Sequence, residues 1–126
     1  MMVTSKKLNV VLDIGKTNVK LTFVKSDNNK TVKSFITKQK NINKFGIKTL
    51  NSNLIVKWSL DKIQKIEKEK QLDKFVCTAH GTSIALIDHN NKEILACTDY
   101  EFKFDRFFEE YKELAPKFSE SFTPFL

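Results

Sequence analysis

The stretch Asp13-Ile14-Gly15-Lys16-Thr17-Asn18 brings a carboxylate, a glycine and three donor-bearing side chains into one short segment. Each residue type suits phosphate chemistry. A carboxylate at a strand end can hold Mg²⁺ through water, glycine lets the backbone come close to a ligand, and Lys16, Thr17 and Asn18 offer donors to phosphate oxygens. Phosphoryl transfer needs such parts, because positioning and charge neutralisation dominate it and a metal bridges the phosphates. A Walker A loop is excluded, since that motif requires Gly-x-x-x-x-Gly-Lys ahead of a helix and here one glycine separates two strand-like runs. Taken alone, the same residues also make an ordinary β-hairpin turn. The second candidate is Ala79-His80-Gly81-Thr82. The chain has only three glycines, and Gly15 and Gly81 each follow a predicted strand. A solitary histidine is usually a satisfied or simply exposed side chain, so His80 needs a second observation to carry a role.

The elements that must position these residues follow from hydrophobic patterning. Residues 8–14 form a short aliphatic run suited to a buried strand. Residues 19–25 alternate Val19, Leu21 and Phe23 against Lys20 and Thr22, and Ser26 to Lys30 supply turn chemistry before a third run, residues 31–38. A three-stranded meander is predicted. Residues 39–53 are polar and read as a loop, after which Val56, Leu60, Ile63 and Glu67 mark a helix over residues 54–71 with Asn53 as N-cap. A fourth strand spans residues 74–78. Residues 83–88 and 93–98 form a hairpin about His89-Asn90-Asn91, and His89 receives no role. Phe104, Phe107, Phe108, Tyr111 and Leu114 recur at helical spacing up to Pro116 and are expected to face a core. No internal repeat, low-complexity tract or linker interrupts the chain.

Composition narrows the function classes. With 126 residues, 40% hydrophobic and 29% charged, the chain fits one globular domain with a modest core. The net charge of +7 would raise nucleic acid or an acidic membrane as a partner. That charge is nearly all lysine, scattered along the chain, with Arg106 the only arginine. Readers of nucleic acid rely on arginine for bidentate contacts, so neither nucleic acid nor a membrane is the expected partner. The lysine-rich run of residues 62–74 reads as a solvated helix face. Cys77 and Cys97 lie in apolar stretches without ligand spacing and are expected to be buried thiols. The apolar run after Lys6 and Lys7 is cut off by Asp13, far short of a signal core or a membrane span, and the protein is expected to be cytoplasmic.

The order β-β-β-α-β matches the opening of a ribonuclease H-like α/β domain with a mixed sheet, the unit found in actin, heat-shock ATPases and sugar kinases. The motifs resemble one branch of that group, the FGGY carbohydrate kinases. Their phosphate loop reads Asp-x-Gly-Thr-Thr-Ser with a basic residue seven positions after the aspartate, a spacing that Asp13, Gly15, Thr17 and Lys20 share. Lys16 and Asn18 replace a threonine and a serine, as in the branch whose loop reads Asp-Ile-Gly-Lys-Thr-Asn. The block Thr78 to Asp88 is similar to the Gln-Met-His-Gly-Ala segment of xylulose-type kinases, whose histidine lines the ketose pocket. Further echoes are Trp58, Asp99 within Thr98-Asp99-Tyr100-Glu101, and residues 118–124 against Phe-x-Glu-Thr-Gly-Ser-Pro. Phe122 stands where that last stretch has glycine, and the usual Trp-x-Asp-x-Arg after the hairpin is missing.

The resemblance implies an ATP-dependent kinase acting on a ketose or polyol hydroxyl, with ATP and Mg²⁺ as cofactors. Asp13, Gly15, Lys16, Thr17, Asn18 and Lys20 would bind the nucleotide phosphates, with Asp13 toward the metal. Thr78, His80, Gly81 and Asp99 would meet the sugar. The family's general-base aspartate lies in a later segment, so residues 1–126 are expected to be the N-terminal part of the first domain and inactive alone. A small sugar is the expected partner, with homodimerisation left open for the full-length protein. The alternatives are a module of the actin-like superfamily that binds nucleotide or sugar without transfer, and a basic interaction protein.

Overall fold

The structure, a computed structural model, describes residues 7–44, 46–81, 83–99, 101–102 and 105–121, apart from the side chains of residues 105–108 and 118. In chain order the elements are β1 (Leu8–Ile14), β2 (Asn18–Lys25), β3 (Thr31–Lys38), β4 (Asn41–Lys44), β5 (Ile47–Leu50), α1 (Ser52–Glu67), β6 (Leu72–Ala79), β7 (Leu86–Ile87), β8 (Glu93–Leu95), α2 (Asp105–Leu114) and α3 (Phe118–Ser121). They divide into two compact units, Met1–Ile42 with Leu50–Gly81, and Asn43–Thr49 with Thr82–Leu126.

The first unit is a four-stranded mixed sheet in the order β3-β2-β1-β6. The meander pairs antiparallel, and β6 lies parallel to β1. A parallel neighbour requires a crossover, and α1 lies on the connection that leads to β6. Period-two alternation sends Val19, Leu21 and Phe23 of β2 and Leu8, Val10 and Leu12 of β1 to one face, where they pack with Ile55 and Ile66 of α1. Phe23 meets Phe35 edge to face, with ring centroids 6.1 Å apart. The ammonium groups of Lys33 and Lys62 stand 5.2 and 5.5 Å from the Phe35 centroid.

The helix differs from its sequence reading in cap and face. Asn51, not Asn53, is the N-cap, and its side-chain oxygen accepts from Leu54 N–H at 3.1 Å. The buried row is Ile55, Ser59 and Ile66, with Trp58 and Ile63 partly covered, while Val56 and Leu60 face outward. Two apolar rows compete on this helix, and packing against β1 and β2 selects the one that spacing alone did not favour. The polar stretch read as a loop holds the β4–β5 hairpin. Its tip closes through Asn43, whose side chain accepts from Gly46 N–H at 2.8 Å while Gly46 takes a φ of +80°.

In the second unit, β7 and β8 pair antiparallel but are shorter than the runs that suggested them. The Asp88 carboxylate accepts from the N–H groups of Asn90 and Lys92 at 2.8 and 2.9 Å, and Asn91 sits at a φ of 60°. Thr98 bridges to Thr49. The expected core stripe of the last helix is corrected at Tyr111 and Leu114, which are exposed; Phe104, Phe107 and Phe108 lie outside the described side chains. The cysteines are corrected too, since Cys77 is exposed and Cys97 only half-buried. Among the described residues no helix is long and apolar enough to cross a membrane.

Candidate functional site

Because β1 and β6 are parallel neighbours, their carboxyl ends emerge at the same edge of the sheet. The register pairs Asp13 with Thr78 and Ile14 with Ala79, and the ladder runs one step further through His80 N–H to the Ile14 carbonyl at 3.0 Å. Gly15 and His80 therefore leave the sheet side by side. Two motifs separated by more than sixty residues meet at one end of the sheet, and in open α/β sheets the carboxyl ends of the strands are where ligands bind.

The first turn is tight. Gly15 N–H donates to the Asn18 carbonyl at 3.0 Å, and a Cβ on Gly15 would stand 2.9 Å from that same oxygen. Glycine is required here by close approach, not by a left-handed backbone, since Gly46 alone among the glycines has a positive φ. Asp13 is exposed on the sheet face away from the core, with Lys20 opposite it on β2 and Thr78 opposite it on β6. Thr17 and Asn18 are exposed, whereas the Lys16 ammonium is sheltered from solvent.

His80 places Nδ1 3.2 Å from the Gly81 carbonyl. With Nδ1–H as donor, Nε2 is the acceptor nitrogen of the neutral ring. Gly81 contrasts with Gly15, because a Cβ there would meet nothing within 4 Å. The fold leaves open space beside Gly81 where it leaves none beside Gly15.

Asp99 belongs to the second unit and is 2% exposed. One carboxylate oxygen pairs with Lys48 Nζ at 2.9 Å, and the other accepts from Glu101 N–H at 3.1 Å. Its backbone is fixed as well, through Asp99 N–H to the Lys48 carbonyl at 3.0 Å and Phe102 N–H to the Asp99 carbonyl at 2.8 Å. Such a carboxylate organises its own unit. His89, exposed in the β7–β8 turn, has Nε2 3.0 Å from Asn90 Nδ2.

Sequence patterning missed Gln39, just beyond β3. Its backbone N–H donates to the Thr17 carbonyl at 2.8 Å and its side-chain Nε2 to the Gly15 carbonyl at 3.3 Å. Nothing in a polar, lysine-rich stretch marks one glutamine as touching a turn more than twenty residues away. Among the described residues no cluster of three or more His, Cys, Asp or Glu could hold a metal. Asp13 thus fits Mg²⁺ only in the manner of nucleotide sites, where one or two carboxylates serve and phosphates and water complete the shell.

Neither a family model nor a curated protein matches the sequence. Solved structures do. A carbohydrate kinase from Novosphingobium aromaticivorans superposes with a TM-score of 0.78 at 22% identity, over 91% of this chain and 24% of that one. The chain has a carbohydrate-kinase fold. A ligand-bound xylulose kinase from Lactobacillus acidophilus gives 0.66 at 16% identity, over 86% of this chain and 23% of its own. The Plasmodium falciparum glycerol kinase solved with ADP gives 0.59 at 14%, over 87% and 24%. This chain therefore spans about a quarter of the length of the kinases it matches. At these identities the likeness speaks for the fold, the mixed α/β sheet, and the site residues rest on their own geometry.

Proposed function

We propose that the chain forms the phosphate loop and part of the sugar pocket of an FGGY-type, ATP-dependent carbohydrate kinase. Its acceptor would be a hydroxyl of a ketose, such as a pentulose or hexulose, or of a polyol. One observation carries this reading: Asp13-Ile14-Gly15 and Thr78-Ala79-His80 end adjacent parallel strands in register, so an anion-binding turn and a hydrogen-bonding histidine open into the same space. A phosphate donor and a hydroxyl acceptor must meet in that way.

In this reading Asp13 holds Mg²⁺ through water, and Gly15 admits the phosphates to the backbone. Thr17, Asn18 and Lys20 supply donors and positive charge, and Lys16, with its ammonium drawn inward, shapes the turn. Thr78 and His80 meet the sugar hydroxyls, and the space beside Gly81 is room for the substrate. Asp99 orders the segment around it within the second unit. The residue that deprotonates the attacking hydroxyl is not assigned among these side chains.

Calorimetry with Mg·ATP tests the phosphate loop. The expected outcome is Mg²⁺-dependent binding that Asp13→Asn weakens about tenfold, as for loss of a charge-assisted contact, with the urea midpoint unchanged. Equal affinity with and without Mg²⁺, or in the variant, would sink the assignment. ADP release on adding pentuloses, hexuloses or glycerol, assayed with the chain joined to a segment that carries the general base, then separates a kinase from a module that binds without transfer.

A further inference from the structure

We infer that Gln39 is the positioning residue of the phosphate loop, a role that rests on the reading of Asp13 to Asn18 as that loop. Gln39 contacts the turn through two groups with different origins. Its backbone N–H, bonded to the Thr17 carbonyl at 2.8 Å, prolongs the β2–β3 ladder one step past the Asn18–Lys38 pair. That bond belongs to the sheet and survives any substitution except proline. The side chain adds the second bond, from Nε2 to the Gly15 carbonyl at 3.3 Å.

The second bond matters because of where it lands. Gly15 has no side chain to restrain its backbone, so the peptide joining it to Lys16 is the least constrained of the turn. No peptide bond in the described chain is cis, and a trans peptide points its N–H opposite to its C=O. Pinning the Gly15 carbonyl toward Gln39 therefore turns the Lys16 N–H away from Gln39. Pinning the Thr17 carbonyl does the same for the Asn18 N–H. Gln39 thus sets the two peptide planes whose N–H groups a bound phosphate would read, before any ligand arrives. Glutamine suits the task because it donates without bringing a charge, so it neither competes with phosphate for cations nor repels it.

Gln39→Met separates the donor from the bulk, since methionine keeps the size and loses the N–H. Amide exchange at Gly15, whose N–H closes the turn onto Asn18, should quicken roughly three- to tenfold in the variant, the effect of one hydrogen bond. Affinity for Mg·ATP should fall by a similar factor, while amide exchange at Leu21 in the core stays as in the parent. Unchanged Gly15 exchange and unchanged affinity would overturn the role of Gln39. So would quickening spread equally to Leu21, because the side chain would then merely support the sheet. If the parent shows no affinity for Mg·ATP while Gly15 still responds, the phosphate reading itself falls and Gln39 is only a turn clamp.

Discussion

The two units of the chain are held by different physics. Among the described residues every buried hydrophobic side chain lies in the first unit, and Val19, Leu21 and Phe23 have no exposure at all. In the second unit Ile84, Leu86, Ile87, Ile94 and Leu95 are exposed, and the buried ones among its described residues are Thr49 and Asp99. Among its described residues the ordering contacts are polar: the Lys44–Glu93 ion pair, the Asp88 turn, and Asp99 between Lys48 and Glu101. Ile47, Ile94 and Leu95 line an open cavity of about 520 Å³ instead of packing shut. Non-directional burial gives the first unit rigidity, because close-packed side chains resist displacement. Surface ion pairs and turn bonds give the second much less, at about 0–1 kcal/mol for each exposed pair. The proposed phosphate loop, Asp13 to Asn18, belongs to the first unit, as a site that must hold its geometry should.

The sharpest way to break this contrast is truncation on each side of it. Phe23→Ala removes a side chain with no exposed surface and should cost about 3–5 kcal/mol. Ile94→Ala, at 69% exposure, should cost within about 0.5 kcal/mol. Urea unfolding of the two variants measures both. Equal losses would mean that the second unit has a core of its own. Asp99→Ala comes next. It leaves Glu101 N–H without its 3.1 Å acceptor, an omission worth about 1–3 kcal/mol. Asp99→Asn keeps an acceptor oxygen and should lose less. Lys48 contributes little to the difference, since its side chain is half exposed. The loss should be local: the Glu101 amide exchanges faster while the Leu21 amide does not. Equal quickening at both would show that Asp99 supports the whole chain.

The meander and the parallel strand were legible because alternation in Val19, Leu21 and Phe23 has one solution, a half-buried strand. The adjacency of Asp13 to Thr78 leaves no mark in residue spacing, and the β1–β6 register displays it. The helix face was misjudged because Ile55 and Val56 begin two apolar rows of similar strength, and only the sheet beneath decides between them. The β4–β5 hairpin escaped because Asn43 and Gly46 close it through a side-chain bond and a left-handed glycine, in a stretch too polar to show alternation. Gln39 escaped for a further reason: a lone side-chain bond to a distant carbonyl leaves no periodicity. Burial of the cysteines failed as an expectation because an apolar run fixes strand formation, not whether a second layer covers the strand.

The cysteines offer the mildest test of the contrast, with one in each unit. Burial pushes the Cys97 thiol above its ordinary value of 9.0, and the charge of Glu93 adds to the rise. The thiolate is the reactive form. Near pH 8, iodoacetamide should therefore alkylate exposed Cys77 well before Cys97, and Cys97 should gain only as the pH climbs past 9.0. A raised pKa also means that the folded chain keeps a proton the unfolded chain has released. The stability linked to Cys97 is then fully present below the unfolded value and is lost as the pH rises through the folded one. Glu93→Gln removes a raising charge and should speed Cys97. Mass spectrometry of the alkylated chain reads the change. Cys97 reacting as fast as Cys77 at pH 8 would show that the polar framework of the second unit opens more often than its static contacts suggest.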